Sequence, residues 1–572
     1  MMVRRLLAFV VGSVLLHGCA AVNNEPHETP HETSQEPPSQ QDYFGTLEPF
    51  ASEAVYFIVT DRFVDGDPTN NFPEQGGTEL RTFDRPIRLA DSPPGNIGYL
   101  GGDFKGVLNN AGYIADMGFT AIWLTPIIDN PDEAFTGGKA PGEGGSNDYG
   151  KTGYHGYWGV NFFALDEHLP SSDLGYADLT QQLLKDYGIK TVLDIVCNHG
   201  SPSFSMTHDQ PKYGEIYDAN GMLVADHGNL HPSELDDSNP LHAFFRREPD
   251  LAELSDMDYE NPDVLEYFVA AHSKWIDQGA AAVRIDTIKH MPHEFWKVFA
   301  DRIRAKHPDF FMFAEAWSYD ADLLAEFTYP ENGGISVLDF PQQQAMSAVF
   351  GKEDAPYATL LDYLQLDSRV YQNPYDLMTF YDNHDMRRID ADTAGFIDAN
   401  NWLLTSRGIP VVYYGSEIGF RAGTDQHAGN RDYFGQRNVE LAKRHPIRSA
   451  LARIAGIRKR SIALQRGLQL NLLFADDTAA FMRTYQKDGV TETALVMLNK
   501  SDVALEFEVG GWLYPGSWRS VDDDTQLSVT MSGAPAPVTV PAHGVAVYVT
   551  NQPPSGAALI ADLDRLQAGK FR

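Results

Sequence analysis

The sequence is poor in cysteine and in basic residues, and it has no apolar run long enough to cross a bilayer. Two cysteines among 572 residues exclude a disulfide framework. The 44 Lys and Arg residues are outnumbered by 79 Asp and Glu residues, which gives a formal charge of −35. Nucleic acids and anionic membranes are bound by basic patches, so neither is an expected partner. With 43% hydrophobic and 22% charged residues, we expect a globular chain of two to four domains.

The first 18 residues have the pattern of an export signal. Arg4 and Arg5 precede an apolar run over residues 6–16, which is too short for a membrane-spanning helix. The sequence that follows, Leu-His-Gly-Cys-Ala with Cys19 as its cysteine, resembles a bacterial lipoprotein signal. We therefore expect lipidation at Cys19 and a polar, Pro-rich tether over residues 19–48. The expected location is the cell envelope, on the periplasmic or outer side of the outer membrane; if this signal is not used, the protein is secreted.

The middle of the chain alternates short apolar runs with amphipathic patterns. Such runs are typical of parallel strands that are buried on both faces. Eight of them are predicted as strands: residues 55–59, 121–127, 191–196, 281–286, 310–314, 335–340, 377–381 and 410–414. Helical patterns lie between them, for example at residues 179–187, 264–278 and 294–306. Eight β/α units indicate an α/β fold, a TIM (β/α)8 barrel over residues 49–198 and 260–466, with a doubly wound sheet as the competing interpretation.

Two segments depart from this alternation. Residues 199–259, rich in Pro, Asn, Asp and His, indicate a small domain inserted after the third strand. Residues 467–550 carry short strand patterns with turns and indicate a C-terminal antiparallel β domain. The tail, residues 551–572, contains a helical pattern at residues 557–566. We expect the protein to be a monomer.

Carboxylates follow three of the predicted strands. Asp286, Glu315 and Asp385 stand where catalytic groups are placed in a TIM barrel, at the C-terminal ends of strands. Two carboxylates that flank a sugar bond are what glycoside hydrolysis requires. A single Asp at a strand end is more often the N-cap of the next helix, but several such residues with Arg and His neighbours favour a catalytic site.

These residues carry a family resemblance that covers about residues 50–550. Four segments resemble, in order, the four sequence regions of the α-amylase family, glycoside hydrolase family 13. They are Asp194 with Asn198 and His199, Arg284 with Asp286 and His290, Glu315, and His384 with Asp385. The resemblance implies a TIM barrel, a domain B after strand three and a C-terminal β domain, and so favours the barrel over the doubly wound sheet.

The resemblance also implies roles for individual residues. Asp286 would be the nucleophile of a retaining mechanism, Glu315 the general acid/base, and Asp385 would stabilise the distorted substrate. Glu315 must be protonated to act, so its pKa is predicted to be raised. Arg284 would keep Asp286 ionised. The other substrate-binding residues that the family implies are His155, Tyr157, His199, Lys289, His290 and His384.

Calcium is the cofactor that the resemblance implies. A loop with Asp65, Asp67, Asn70 and Asn71 offers oxygen ligands, although its composition alone favours a plain turn. It resembles the calcium loop of cyclodextrin glucanotransferases, in which a Gly-Gly-Asp segment, here with Gly101 and Asp103, completes the site. A second site would use Asn198, Glu253 and the carbonyl group of His290. The family usually has Asp where Glu253 stands.

The resemblance implies an α-amylase that hydrolyses internal α-1,4 bonds of starch and malto-oligosaccharides. The alternatives are a 4-α-glucanotransferase or cyclodextrin glucanotransferase, and a cyclomaltodextrinase. Pro249 stands where cyclising enzymes typically have an aromatic residue, and the chain ends after one β domain, without further starch-binding domains. Both features favour hydrolysis. A glycan-binding lipoprotein without catalysis is the alternative from another class, and the three retained carboxylates oppose it.

Overall fold

The computed structural model describes residues 41–73, 75, 81–88, 94–141, 148–529 and 537–571. The predicted signal, Cys19 and the first part of the predicted tether lie outside the described residues. None of the helices in these ranges combines the length and the apolar character that crossing a membrane requires.

Eight parallel strands form a nearly closed barrel, as predicted. They are β1 (Val55–Ile58), β2 (Ala121–Leu124), β3 (Lys190–Ile195), β4 (Ala280–Ile285), β5 (Phe311–Ala314), β6 (Ser336–Val337), β7 (Met378–Thr379) and β8 (Ile409–Tyr413). Their order in the sheet is β6-β5-β4-β3-β2-β1-β8-β7. A parallel bridge between Leu338 and Met378 joins the two ends. The side chains of β1 and β2 are buried throughout, which explains the continuous apolar runs in the sequence.

Helices surround the barrel and follow the strands in the order that a β/α repeat requires. They are Phe104–Asn109, Ala111–Asp116, Tyr176–Tyr187, Pro262–Asp277, His293–Lys306, Ala321–Thr328, Phe340–Phe350, Thr393–Leu403, Gly435–Ala442, Pro446–Arg460 and Ile462–Arg466. Short antiparallel pairs lie in the loops at the catalytic end: Ile128–Asp129 with Asn161–Leu165, Glu215–Tyr217 with Leu223–Asp226, and His199–Pro202 with Leu254–Asp256. The last pair joins the start of the segment after β3 to its end.

An antiparallel sheet domain follows the barrel. Its strands are β9 (Leu468–Phe474), β10 (Thr478–Lys487), β11 (Val490–Asn499), β12 (Leu505–Phe507), β13 (Gly516–Ser520), β14 (Gln526–Val529), β15 (Val538–Val540) and β16 (Gly544–Thr550). Six of them form one sheet in the order β9-β10-β11-β16-β13-β14, and β12 pairs with β15.

The two ends of the described chain pack together at the base of the barrel. Tyr43 pairs with Gln486 of β10 and donates a hydrogen bond to Asp564 (2.8 Å) in the C-terminal helix Ala557–Gly569. Lys570 donates to the carbonyl oxygen of Phe44. Residues 42–48, which the sequence analysis placed in the tether, therefore belong to the folded body, and the predicted tether ends sooner.

Candidate active site

The carboxylates at the ends of β4 and β5 are placed by the backbone. The amide of Asp286 donates to the carbonyl oxygen of Ile195 at the end of β3 (2.9 Å). In the same way the amide of Glu315 donates to the carbonyl oxygen of Ile285 at the end of β4 (2.9 Å). Both residues therefore continue the parallel ladder by one step, and their side chains stand together at the mouth of the barrel.

A single guanidinium group connects three carboxylates at this mouth. Nη1 of Arg284 lies 2.7 Å from Oδ1 of Asp286 and 2.9 Å from Oδ1 of Asp194, and Nη2 is bonded to Glu315. Arg284 is only 1% exposed. Asp194 also accepts hydrogen bonds from Trp123 Nε1 (3.0 Å) and the Tyr157 hydroxyl (2.7 Å). Such a shared fork orients Asp286 and Glu315 towards each other, as Arg is suited to do.

Burial raises the pKa values of two of these carboxyl groups, Glu315 and Asp194. Burial raises the pKa of Glu315 to about 8; Arg284 opposes this, while Asp286 and Asp385 add to it. The predicted direction is confirmed, and burial is the leading cause. Burial also raises the pKa of Asp194 to about 7, against the opposing effect of Arg284. A carboxyl that keeps its proton at neutral pH can act as a general acid.

Asp385, after β7, has a different set of partners. Its Oδ1 accepts hydrogen bonds from Arg431 and from Gln426 Nε2 (3.3 Å), and its Oδ2 lies 3.1 Å from Nε2 of His384. Burial would raise the pKa of Asp385, but His384, Arg431 and Arg284 outweigh it and hold the pKa at about 2. Asp385 is therefore an anion throughout the physiological range.

Sequence reasoning missed Arg431 and Gln426. Both lie in the irregular segment after β8, which has no periodic pattern and no strand end to mark a functional residue. Arg431 also donates to the carbonyl oxygen of His384 (2.9 Å), so it holds both residues of the His384-Asp385 pair. The only sequence signal is a basic residue in the segment that follows the eighth predicted strand.

A cavity of about 490 Å³ opens above these groups. Eight of the ten residues predicted to be catalytic or substrate-binding line it: His155, Tyr157, His199, Asp286, Lys289, His290, Glu315 and Asp385. Arg284 and His384 lie behind this wall, in contact with the carboxylates. Further wall residues include Trp158, Leu251, Leu254 and Trp317. The apolar and aromatic surface with a few converging polar groups is typical of a small-molecule site.

Three histidines at the barrel mouth, His155, His199 and His384, are uncharged at neutral pH. Burial lowers the pKa of His199 to about 4 and that of His384 to about 3, and it places the pKa of His155 well below its usual value. A neutral imidazole offers one donor and one acceptor, which suits hydroxyl groups. On the opposite side, Lys289 donates to the carbonyl oxygen of Trp317 (2.9 Å), and Nδ1 of His290 lies 3.1 Å from Asp250.

The first candidate calcium loop has the features that a hard cation requires. Asp65 Oδ1, Asn70 Oδ1 and Asn71 Oδ1 are buried without a hydrogen-bond partner among the described residues. A Cβ atom on Gly101, whose φ is +87°, would lie 2.4 Å from Asn71 Oδ1, so only glycine fits there. Buried oxygens without partners are costly, and Ca²⁺ is bound by six to eight oxygen ligands. The loop therefore fits the ion.

Two of the predicted ligands in this loop also have structural roles. Asp103 accepts hydrogen bonds from the amides of Gly66 (3.1 Å), Asp67 (2.8 Å) and Gly106 (2.6 Å), so it holds the loop closed. The Asp67 carboxylate accepts from the amide (3.1 Å) and hydroxyl (2.6 Å) of Thr69 and caps the next turn. Its Oδ1 is therefore engaged, whereas the Oδ1 atoms of Asp65, Asn70 and Asn71 have no hydrogen-bond partner among the described residues, although their other side-chain atoms do.

The second candidate calcium site is less complete. Asn198 is fully buried, and neither atom of its amide group has a partner among the described residues. The carbonyl oxygen of Asn198 accepts from Met257 (2.8 Å), and that of Glu253 accepts from Ser203 (2.8 Å), so strand pairing holds this region together. The side chain of Asn198 is therefore suited to bind an ion. That Glu253 and His290 also bind it stays a prediction.

Comparisons with known proteins agree with this site. Residues 57–456 match the α-amylase catalytic domain family. The cyclomaltodextrin glucanotransferase of Klebsiella oxytoca is 29% identical over 502 residues, with 79% of this chain and 71% of the relative covered. An α-amylase of Niallia circulans is 28% identical over 521 residues, with 88% and 92% covered.

A solved structure has the same overall organisation. It is CldA, described as a cyclomaltodextrin glucanotransferase with a three-domain ABC distribution, at 27% identity and a TM-score of 0.68. The alignment covers 88% of this chain and 99% of CldA.

Proposed function

The chain belongs to the α-amylase catalytic-domain family, glycoside hydrolase family 13, an enzyme family of glycosidases and transglycosylases, and from that premise we propose that it is an α-amylase. Its substrate would be an α-1,4-glucan, starch or a maltodextrin, cleaved at internal bonds with retention of configuration. The observation that carries the proposal is the Arg284 fork, which holds Asp286 and Glu315 side by side. A retaining enzyme needs its two carboxyl groups about 5–5.5 Å apart, and neighbouring barrel strands provide such a spacing.

The proposed reaction uses these groups in two steps. Glu315 gives its proton to the glycosidic oxygen while the Asp286 carboxylate attacks the anomeric carbon, so the leaving sugar departs as a neutral alcohol. Glu315, now ionised, takes a proton from water, and the hydroxide oxygen displaces Asp286 from the sugar. Asp385 and the neutral histidines would bind the hydroxyl groups of the distorted ring.

The segment before the strand at Leu254–Asp256 supports hydrolysis over cyclisation. Pro249 is exposed, and the residues of this segment that line the cavity, Leu251 and Leu254, are aliphatic. An aliphatic wall gives no flat surface on which a curled glucan chain could stack.

Glucan transfer is the second candidate. It is favoured by the Klebsiella oxytoca relative and by CldA, both named as cyclomaltodextrin glucanotransferases. The sequence analysis took the lack of further starch-binding domains as evidence against transfer. That argument is wrong, because CldA is described as a transferase with three domains and aligns over 99% of its length with this chain.

A product time course distinguishes the candidates. A soluble form that begins at Asp42 is incubated with starch and with maltoheptaose, and the products are separated by chromatography. Hydrolysis yields short linear sugars from the first time points. Cyclic or lengthened products would contradict the proposal. Glu315→Gln should lose activity, while Glu326→Gln, at an exposed position on a barrel helix, is the matched control.

Calcium and export form a separate part of the proposal. We propose that calcium binds the loop with Asp65, Asn70 and Asn71 and stabilises the barrel mouth. We also propose that Cys19 is lipidated and anchors an otherwise monomeric protein to the cell envelope. Labelling of cells with a radioactive fatty acid tests the anchor, since Cys19→Ser should abolish incorporation and release the protein from the membrane fraction.

A further inference from the structure

Two loops at the catalytic end are joined to each other by hydrogen bonds. We call residues 380–392 the β7 loop, which carries Asp385, and residues 414–434 the β8 loop, which carries Arg431. The amide of Arg388 donates to the carbonyl oxygen of Thr424 (3.1 Å), and the amide of Gly423 donates to that of Ile389 (3.3 Å). Asp385 lies outside any helix or strand. The hydrogen bonds between the two loops therefore help to determine where its carboxylate lies.

Arg388 forms the centre of this connection. It is 1% exposed, and its Nη2 donates to the carbonyl oxygens of Tyr414 (2.8 Å) and Asn430 (3.2 Å). Its Nη1 donates to the Ser416 hydroxyl (3.3 Å), and its guanidinium lies 4.3 Å from the centre of the Tyr413 ring. Arg388 is thus fixed on the β8 loop, although it belongs to the β7 loop.

Asn430 makes the reciprocal connection. Its side-chain amide donates to the carbonyl oxygens of Asn383 (2.9 Å) and Met386, the residues that flank the His384-Asp385 pair. The Asn383 side chain in turn accepts from the amides of Asp385 (2.9 Å) and Met386 (3.1 Å). The next residue, Arg431, is the cation that bonds Asp385. The hydrogen bond from Arg388 to the carbonyl oxygen of Asn430 therefore lies one residue along the chain from the ion pair between Arg431 and Asp385.

We propose that Arg388 is a positioning residue of the reaction, which acts through Asn430 and Arg431 to hold the carboxylate of Asp385 in its productive orientation. This inference rests on the proposed function only in that Asp385 binds the reacting sugar. Arg388 is not among the residues that line the cavity, so its effect on the reaction would be indirect. Displacements of about 1 Å in a catalytic group lower rates by as much as 10²-fold, so a remote support of this kind has a measurable effect.

A double-mutant cycle separates positioning from general stabilisation. Arg388→Met should lower kcat by about 10- to 30-fold with a smaller change in KM, because Asp385 acts mainly on the distorted sugar. In a protein that already carries Arg431→Met, the addition of Arg388→Met should lower kcat by less than about 2-fold, because the ion pair that Arg388 supports is already absent. Arg388→Lys should restore part of the rate and is the variant to use if Arg388→Met does not fold.

Arg458 provides a matched control for burial and hydrogen bonding. It is also 1% exposed and donates to three carbonyl oxygens, those of Leu464, Ala51 and Gly408, away from the cavity. Arg458→Met should lower Tm as much as Arg388→Met does, with kcat within about 2-fold of the wild type. Equal kcat losses in the two variants, or an Arg388→Met loss that is unchanged in the Arg431→Met background, would overturn the inference.

The rate in these experiments is the total consumption of maltoheptaose, so hydrolysis and transfer count alike. A wild-type protein that consumes no α-glucan would contradict the proposed function. The cycle would then be carried out on the dissociation constant of acarbose, measured by calorimetry. Coupling between Arg388 and Arg431 in that constant would support the inference, and additive effects would refute it.

Discussion

At the barrel mouth and at the contact between the barrel and the C-terminal sheet, one basic side chain lies between carboxylates, but the basic groups and the exposure of their partners differ, since Asp502 at the contact is 99% exposed. At the mouth, Arg284 is shared by Asp194, Asp286 and Glu315. At the contact, His543 lies between Asp398 of the barrel helix Thr393–Leu403, at 2.7 Å from Nδ1, and Asp502 of the sheet domain, at 3.1 Å from Nε2.

The difference lies in which partner can titrate. An arginine keeps its charge at every relevant pH, so at the mouth only the carboxyl groups can change state. Both ring nitrogens of His543 face carboxylate oxygens. Both contacts are hydrogen bonds only if the ring is charged and donates twice, or if one carboxyl group holds the proton and donates it to the neutral ring. Catalysis thus depends on a permanent cation, whereas the domain contact depends on a proton.

The largest expected effect comes from the catalytic carboxylates. Asp286→Asn and Glu315→Gln should each lower kcat on the order of 10⁴-fold, because each removes a covalent or proton-transfer step. Asp398→Asn, the equivalent change at the domain contact, should leave kcat within about 3-fold and alter only Tm. Steady-state rates and calorimetry on the three variants check this. More than a tenth of wild-type activity in Asp286→Asn would show that the mouth is not the site of chemistry.

The next effect concerns the cation at the mouth. Arg284→Lys should lower kcat by about 10²- to 10³-fold, because an ammonium group cannot bridge Asp286 and Glu315 as a planar fork does. Three buried carboxylates would also share a less suitable partner, so Tm should fall by several degrees. Kinetics and calorimetry on one preparation measure both quantities. If Arg284→Lys retains full activity, the permanent fork is not what organises the site.

The eight strands were predictable from local patterns for a physical reason, whereas the choice of a barrel over a doubly wound sheet came from the family resemblance. The strands are buried on both faces, so each leaves a continuous apolar run even where the ladder is only two residues long, as in β6 and β7. Strand ends then pointed to Asp286, Glu315 and Asp385, because parallel strands place their C-terminal ends on one side. The position of these residues in the fold is thus a consequence of local patterns.

Other features could not be predicted because they depend on partners far away in the chain. Arg431 reaches Asp385 from an irregular loop after β8, and no periodicity marks it. Residues 42–48 show no strand or helix pattern of their own, yet Tyr43 is buried by pairing with Gln486, more than 400 residues later. Whether such segments belong to the folded structure depends on tertiary contacts, which local composition does not reveal.

The calcium loop adds a third arrangement to the comparison, in which three buried oxygens have no hydrogen-bond partner among the described residues. Removal of calcium with a chelator should lower Tm by about 2 to 3 °C, since an ion at 100 times its dissociation constant contributes about 2.7 kcal/mol and a folded chain of this size has an unfolding entropy of roughly 1 kcal/mol per degree. Asp65→Asn should weaken this response, while Asp84→Asn, at an exposed position nearby, should preserve it. Calorimetry with and without calcium makes the measurement. An unchanged Tm in excess chelator would contradict a structural ion in this loop.

The smallest effect tests the proton at the domain contact. Burial raises the pKa of Asp398 to about 7, against His543, while for His543 the bonds to Asp398 and Asp502 outweigh burial and raise its pKa. Both groups therefore bind a proton more tightly in the folded state than in the unfolded one. For Asp398 this contribution is lost as the pH rises from its ordinary pKa of 3.8 to about 7. For His543 it is fully present below the ordinary imidazole pKa of 6.5 and is lost as the pH rises through the raised value of the folded state.

His543→Gln should lower Tm by about 1 °C near pH 6 and by almost nothing at pH 9. Lys500, which is bonded to Asp354 and Asp477, also lies beside Asp398 and opposes the rise in its pKa. A difference in Tm that stays constant from pH 6 to pH 9 would show that the contact does not depend on a proton, and the contrast with the arginine at the mouth would fail.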